Sequence, residues 1–166
     1  MTSQLVDSMH ELLSDVNNNW PRSPWSTAEG RAGILEKRLA RATGKRDVEF
    51  CIASVTDVAA EGTHFAATIF TADLVIYGDL HATNERQAAY NLLANVVTVP
   101  RSAIRSLTLH QVEYFGSDDA EGEDYVSFTA TYEGMAPVVV GSPASGLKRG
   151  ATSRLFDALQ ADLALV

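Results

Sequence analysis

Val96-Val-Thr-Val-Pro-Arg-Ser-Ala-Ile-Arg-Ser-Leu-Thr-Leu109 reads as two strands joined through Pro100. Proline has no N–H to give to a ladder, so it belongs at the junction rather than inside either strand. Other strand runs precede this stretch and more follow it, and the chain then ends in a single amphipathic helix. Several antiparallel strands followed by one helix restrict the fold to a few α+β architectures.

Working outward, the period is two from residue 46 onward. Val48, Phe50 and Ile52 alternate with polar or small residues, and Phe65, Ala67 and Ile69 do the same after a turn at Glu61-Gly62. Leu74-Val-Ile-Tyr77 reads as a buried strand, followed by a polar loop or short helix from about His81 to Tyr90. In Tyr125–Tyr132, Val126, Phe128, Ala130 and Tyr132 face one way and Ser127, Thr129 and Thr131 the other, as in a half-buried antiparallel strand. Val138-Val-Val140 is a further strand, and Thr152 is placed to cap a last helix carrying Leu155, Phe156, Leu159 and Leu163 on one face. The body is therefore about seven strands and a helix.

The first 45 residues have a helical period instead. Leu5, Met9, Leu12, Leu13 and Val16 form one stripe, and Asn17-Asn-Asn-Trp-Pro-Arg-Ser-Pro-Trp25 stops that helix. Ser26, with Glu29 three residues on, reads as a capping box for a second helix. Its buried line is Ala32, Leu35 and Leu39, its wet side Arg31, Lys37, Arg38 and Arg41, and Gly44 ends it. This gives a helical hairpin over 1–45 and a body over 46–166.

The chain has 166 residues and a net charge of −8, which argues against nucleic acid as the main partner. Residues 1–46 hold seven Lys/Arg and five Asp/Glu, whereas 47–166 hold six and sixteen, so a mildly basic segment precedes an acidic body. Cys51 is the only cysteine, which excludes an internal disulfide and suits a reducing cytoplasm. No basic-then-apolar leader opens the chain and no run is long enough to span a bilayer, so no integral membrane association is expected.

The runs Phe70-Thr-Ala-Asp-Leu-Val-Ile76, Val97-Thr-Val-Pro-Arg-Ser-Ala-Ile-Arg-Ser-Leu107 and Leu155-Phe-Asp-Ala-Leu159 together resemble a pleckstrin-homology-like (PH-like) domain of the bacterial kind. The likeness lies in hydrophobicity and turn placement, and covers 46–166. It implies a bent antiparallel sheet or barrel of about seven strands closed by a C-terminal helix. It also implies an interaction or membrane-surface module without catalysis, in a family that includes ring-forming members. Eukaryotic relatives bind phosphoinositides through a basic cluster in the first hairpin. Here Thr56-Asp-Val-Ala-Ala-Glu-Gly-Thr-His64 holds two acids and no Lys or Arg, so that property does not carry over.

Leu74-Val-Ile-Tyr-Gly-Asp-Leu-His81 resembles the first motif of calcineurin-like metallophosphoesterases. An Asp and a His two residues apart at a strand's end can converge on a metal ion there. The downstream Gly-Asp and Gly-Asn-His motifs of that family are missing, so Asp79 and His81 stand as the alternative to a plain polar turn. The acidic run Asp118–Asp124 lacks the ligand order of an EF-hand and reads as a hairpin tip. Gly141-Ser-Pro-Ala-Ser-Gly-Leu-Lys-Arg-Gly150 departs from a phosphate-binding loop, because Leu147 separates Gly146 from Lys148. Cys51, in an apolar run, reads as inert packing.

Trp20 and Trp25 bracket Pro21-Arg-Ser-Pro24, and a proline-stiffened loop holds large rings at small entropic cost. They either dock a partner or staple the helix ends to the sheet. The expected molecule is a cytoplasmic, non-catalytic interaction or scaffold module needing no cofactor. It works through Trp20, Trp25, Arg38, Arg41 and an open strand edge, on a protein partner or by self-association. A metal-dependent phosphoesterase using Asp79 and His81, or reversible binding of a membrane surface through the basic helix 27–43, are the alternatives.

Overall fold

The computed structural model describes residues 3–21, 31–58, 62–82, 94–114, 124–141 and 150–165. Among them the chain is α+β, with three α-helices and seven antiparallel strands. The order is α1 (Ser3–Val16), α2 (Ala32–Thr43), β1 (Phe50–Val58), β2 (Gly62–Phe70), β3 (Leu74–Ala82), β4 (Ala94–Pro100), β5 (Ile104–Tyr114), β6 (Asp124–Tyr132), β7 (Val138–Val140) and α3 (Ala151–Leu163). The strands form two sheets, β1-β2-β3-β4 and β5-β6-β7, rather than one closed barrel. The break falls at Pro100, which has no N–H to extend the ladder and leads into a 3-10 turn at Arg101–Ala103. Two compact units result, residues 1–98 and 99–166.

In the first unit both helices bury their apolar stripes on β1–β3. Met9 and Leu13 of α1, Ala32, Leu35, Leu39 and Ala40 of α2, and Phe65, Ala67, Ile69, Ile76 and Leu80 of the sheet share one core. Asn17 ends α1, and its Nδ2–H donates to the Ala53 carbonyl at 2.9 Å, which ties the helix end to β1. The capping box at Ser26 and Glu29 lies outside the described residues.

The register pairs Cys51 with Ile69, Ala53 with Ala67 and Val55 with Phe65. The helix-facing line of β1 is therefore Cys51-Ala53-Val55, and the bulkier Phe50 and Ile52 point the other way. Small side chains on this line leave room for the core residues of the helices and for Trp20, which belongs to the same cluster.

In the second unit the alternation read from Tyr125–Tyr132 holds. Val126, Phe128, Ala130 and Tyr132 are buried, with Val138 and Val140 of β7 beside them. Thr152 is not the cap of α3. Gly150 occupies that position, and the buried Thr152 hydroxyl accepts the Val126 backbone N–H at 3.1 Å, joining α3 to β6. Phe156 stacks edge-on against Phe128 at 5.2 Å, and the Arg101 guanidinium reaches Asp162 at 2.5 Å. These three contacts hold α3 to β6 and to the 3-10 turn at Arg101–Ala103. No helix among the described residues is long and apolar enough to cross a membrane.

Candidate functional site

The residues singled out in the sequence scatter. Trp20 lies in the core at 1 % exposure, edge-on to Phe65 at 5.6 Å. Trp25 lies outside the described residues. Arg38 and Arg41 are exposed on α2, with an Arg38 Nη1–H donating to the Ala94 carbonyl. The acidic run up to 123 and the glycine loop 142–149 also fall outside the described residues.

Asp79 and His81 lie inside β3 rather than beyond its end, on the face away from the helices. The register brings in a third group, His64 of β2, directly opposite His81. His64 Nε2 is 3.8 Å from Asp79 Oδ2, and the two imidazole rings are 6.3 Å apart. That separation is a loose surface ion pair and a ring contact. Among the described residues no three His, Cys, Asp or Glu side chains are grouped as metal ligands. Gly78, which precedes Asp79 in the motif, has a packing reason. A Cβ there would lie 2.8 Å from Leu39 Cδ2 and 2.9 Å from Leu35 Cδ1, so α2 crosses β3 at this position.

The sequence reading missed Glu36. It is 1 % exposed among the apolar residues of α2, and its Oε1 accepts the Trp20 indole N–H and the His10 Nδ1–H, each at 2.8 Å. A buried carboxylate with two aimed donors fixes the positions of three chain segments relative to one another.

Among the described residues, the feature that best fits an external ligand lies in the second unit. Leu107 and Leu109 of β5 face Phe156, Gln160 and Leu163 of α3 and its C-cap Ala164 across a cleft of about 480 Å³. Phe156, Gln160, Leu163 and Ala164 recur at helical spacing, so one stripe of α3 makes a whole wall. The lining carries no ionic group. Leu109 is 49 % exposed and Val112 37 %, on a face whose neighbours in β6 are buried. Exposed large apolar side chains gathered beside a concave wall mark interaction surfaces. The alternation Leu107-Thr-Leu109 marks an apolar face, but nothing in it tells that the strand stands at an edge.

Cys51 is buried, and burial pushes its thiol up to about 12 from the usual 9.0. The thiolate is the reactive form. A disulfide-exchange reagent at pH 8 is therefore expected to leave the folded chain unmodified and to label Cys51 once denaturant is added. Because the folded value lies above the unfolded one, this contribution to stability is intact below pH 9. Above it, stability falls by about 1.4 kcal/mol per pH unit up to about pH 12, as only the unfolded chain releases the proton. Rapid labelling of the native chain would remove Cys51 from the core.

Compared with known protein families, curated proteins and solved structures, the chain matches none.

Proposed function

We propose that the chain is a non-catalytic interaction module of the PH-like kind, whose working surface is the β5–α3 cleft. What supports the PH-like part is the order of elements: four antiparallel strands, then three, then one helix. The observation that carries the functional part is the uncharged cleft with half-exposed Leu109 at its mouth. Catalysis needs convergent polar groups with a reacting atom between them, and the lining offers the Gln160 amide alone. The buried position of Trp20 shifts the reading of the binding surface away from the helical hairpin. Arg38 and Arg41 remain as exposed cations on α2.

The test is to pan a display library of random peptides over the immobilised full chain, with Leu109→Asp in parallel. An exposed position tolerates the aspartate, so the variant is expected to stay folded by circular dichroism. Enrichment of peptides that bind the wild-type chain at least about tenfold better than the variant is expected, since burying a charge on binding costs several kcal/mol. Enrichment that ignores Leu109, or none, overturns the assignment of the working surface.

A further inference from the structure

We propose that the face of β2 and β3 turned away from the helices holds one divalent ion of the zinc type, with His64, His81 and Asp79 as its protein ligands. The site belongs to the first unit and is argued independently of the β5–α3 cleft.

The first observation is the register. His64 pairs with His81 and Ala66 with Asp79, which makes a block of four positions on one face of two neighbouring strands. Two ligand-type residues of β3 are thus separated by one residue, and a third stands across from them on β2. Neighbouring strands lie about 5 Å apart and alternate residues of one strand about 7 Å apart, so three such side chains reach a common point above the sheet. The fourth corner is Ala66, whose methyl leaves space there for the ion and its waters. Leu80, between Asp79 and His81, is wholly buried in the core under the helices. It fixes the phase of β3, so Asp79 and His81 stay on the outer face.

The second observation is the side-chain placement. The diagonal of the block is already closed, with His64 Nε2 at 3.8 Å from Asp79 Oδ2. Two donors that share a tetrahedral zinc ion at about 2.0–2.1 Å stand roughly 3.4 Å from each other. The His81 ring lies edge-on to that of His64 at 6.3 Å, and its nitrogen has to swing inward. The His64 and Asp79 side chains are 42 % and 26 % exposed and His81 is exposed as well, so rotation is open to all three. Without an ion the donors do not share a point. The backbone supplies the triangle and the ion gathers its corners.

The donor set selects the ion. Two imidazoles and one carboxylate suit zinc, cobalt, nickel or copper, whereas calcium and magnesium take shells of oxygen. The net charge of −8 favours any cation at the surface. His10 and His110 are engaged elsewhere, with Glu36 and Thr129 respectively. Three protein ligands at an exposed site leave a coordination position for water or for a donor from outside the chain.

The experiment titrates zinc ion into the tag-free full chain, followed by calorimetry and by the ring resonances of the four histidines. One ion per chain is expected, with a dissociation constant below about 100 μM, and with shifts at His64 and His81 but not at His10 or His110. His64→Ala, His81→Ala and Asp79→Ala are each expected to weaken binding at least about tenfold, and His110→Ala to leave it unchanged. The altered positions lie at the surface, so circular dichroism is expected to match the parent. The ring shifts are read on the unaltered protein and stand even where a variant fails to fold.

Absence of heat and of ring shifts at about millimolar zinc overturns the proposal. Shifts at His10 or His110 in place of His64 and His81 overturn it too, as does a smaller loss in any one of the three variants that stays folded. Competition by calcium at concentrations equal to zinc would show an oxygen-ligand site and overturn the donor set.

Discussion

Replacing Trp20 by alanine is expected to lower the unfolding free energy by about 3–5 kcal/mol, measured from the shift in denaturant midpoint at constant slope. Against a typical total of about 5–15 kcal/mol this leaves the chain marginal. The indole is 1 % exposed and packs edge-on against Phe65, so its loss leaves a cavity between helices and sheet. A second effect adds to the cavity. The Trp20 N–H is one of two donors aimed at Glu36 Oε1, and Glu36 is as deeply buried as the indole. Trp20→Phe separates the two effects. It keeps most of the ring and is expected to cost about 1–3 kcal/mol, the desolvation of a carboxylate left one donor short. In a double cycle with Glu36→Gln the two changes are expected to be non-additive, since each removes one side of the same contact. A loss below about 1 kcal/mol for Trp20→Ala would mean that the indole is not a core element.

The same contacts explain why part of this molecule can be read from its sequence and part cannot. Local period reveals whatever a single element decides alone. The stripe of α1 and the alternation of β6 are of this kind, and all four inward residues of β6 are buried as the pattern requires. The period-two pattern of Gly78-Asp-Leu-His-Ala82 was also present. It carries β3 through Asp79 and His81, where the polar residues suggested a loop.

Glu36 is of another kind. It sits four residues from Ala32 on the apolar face of α2, where an acid is costly unless donors meet it. Those donors come from His10 and Trp20, 26 and 16 residues away in sequence, and no local pattern shows that they will converge. Thr152 has the composition of a cap, but its hydroxyl is taken by a backbone N–H of β6 once the sheet is in place. The cleft fails the local test for the same reason. Leu107 and Leu109 look like any buried pair until the strand order leaves β5 at an edge.

Gly141→Ala is expected to be a strongly damaging single-methyl addition in the second unit. Gly141 has φ +92°, a region where a Cβ strains the backbone by about 1–3 kcal/mol. A Cβ there would also stand 2.7 Å from the Val126 carbonyl oxygen and 2.8 Å from Ser127 Cα. Both are main-chain atoms of β6, so no rotamer change relieves the clash, and overpacking of this sort adds about 1–3 kcal/mol. The end of β7 cannot retreat freely, because the Tyr125 hydroxyl donates to the Gly141 carbonyl and Val140 is paired with Phe128. Gly134→Ala supplies the control. Its φ is +82°, yet a Cβ there meets nothing within 4 Å, so it carries the strain without the clash. The difference between the two variants in denaturant midpoint then measures how closely β7 and its exit press on β6. Equal losses would show that β6 yields at Val126. Since that residue's N–H is held by Thr152 of α3, a yielding β6 would shift the helix that forms one wall of the cleft. Gly141→Ala would then weaken peptide binding even where the chain remained folded, and Gly134→Ala would not.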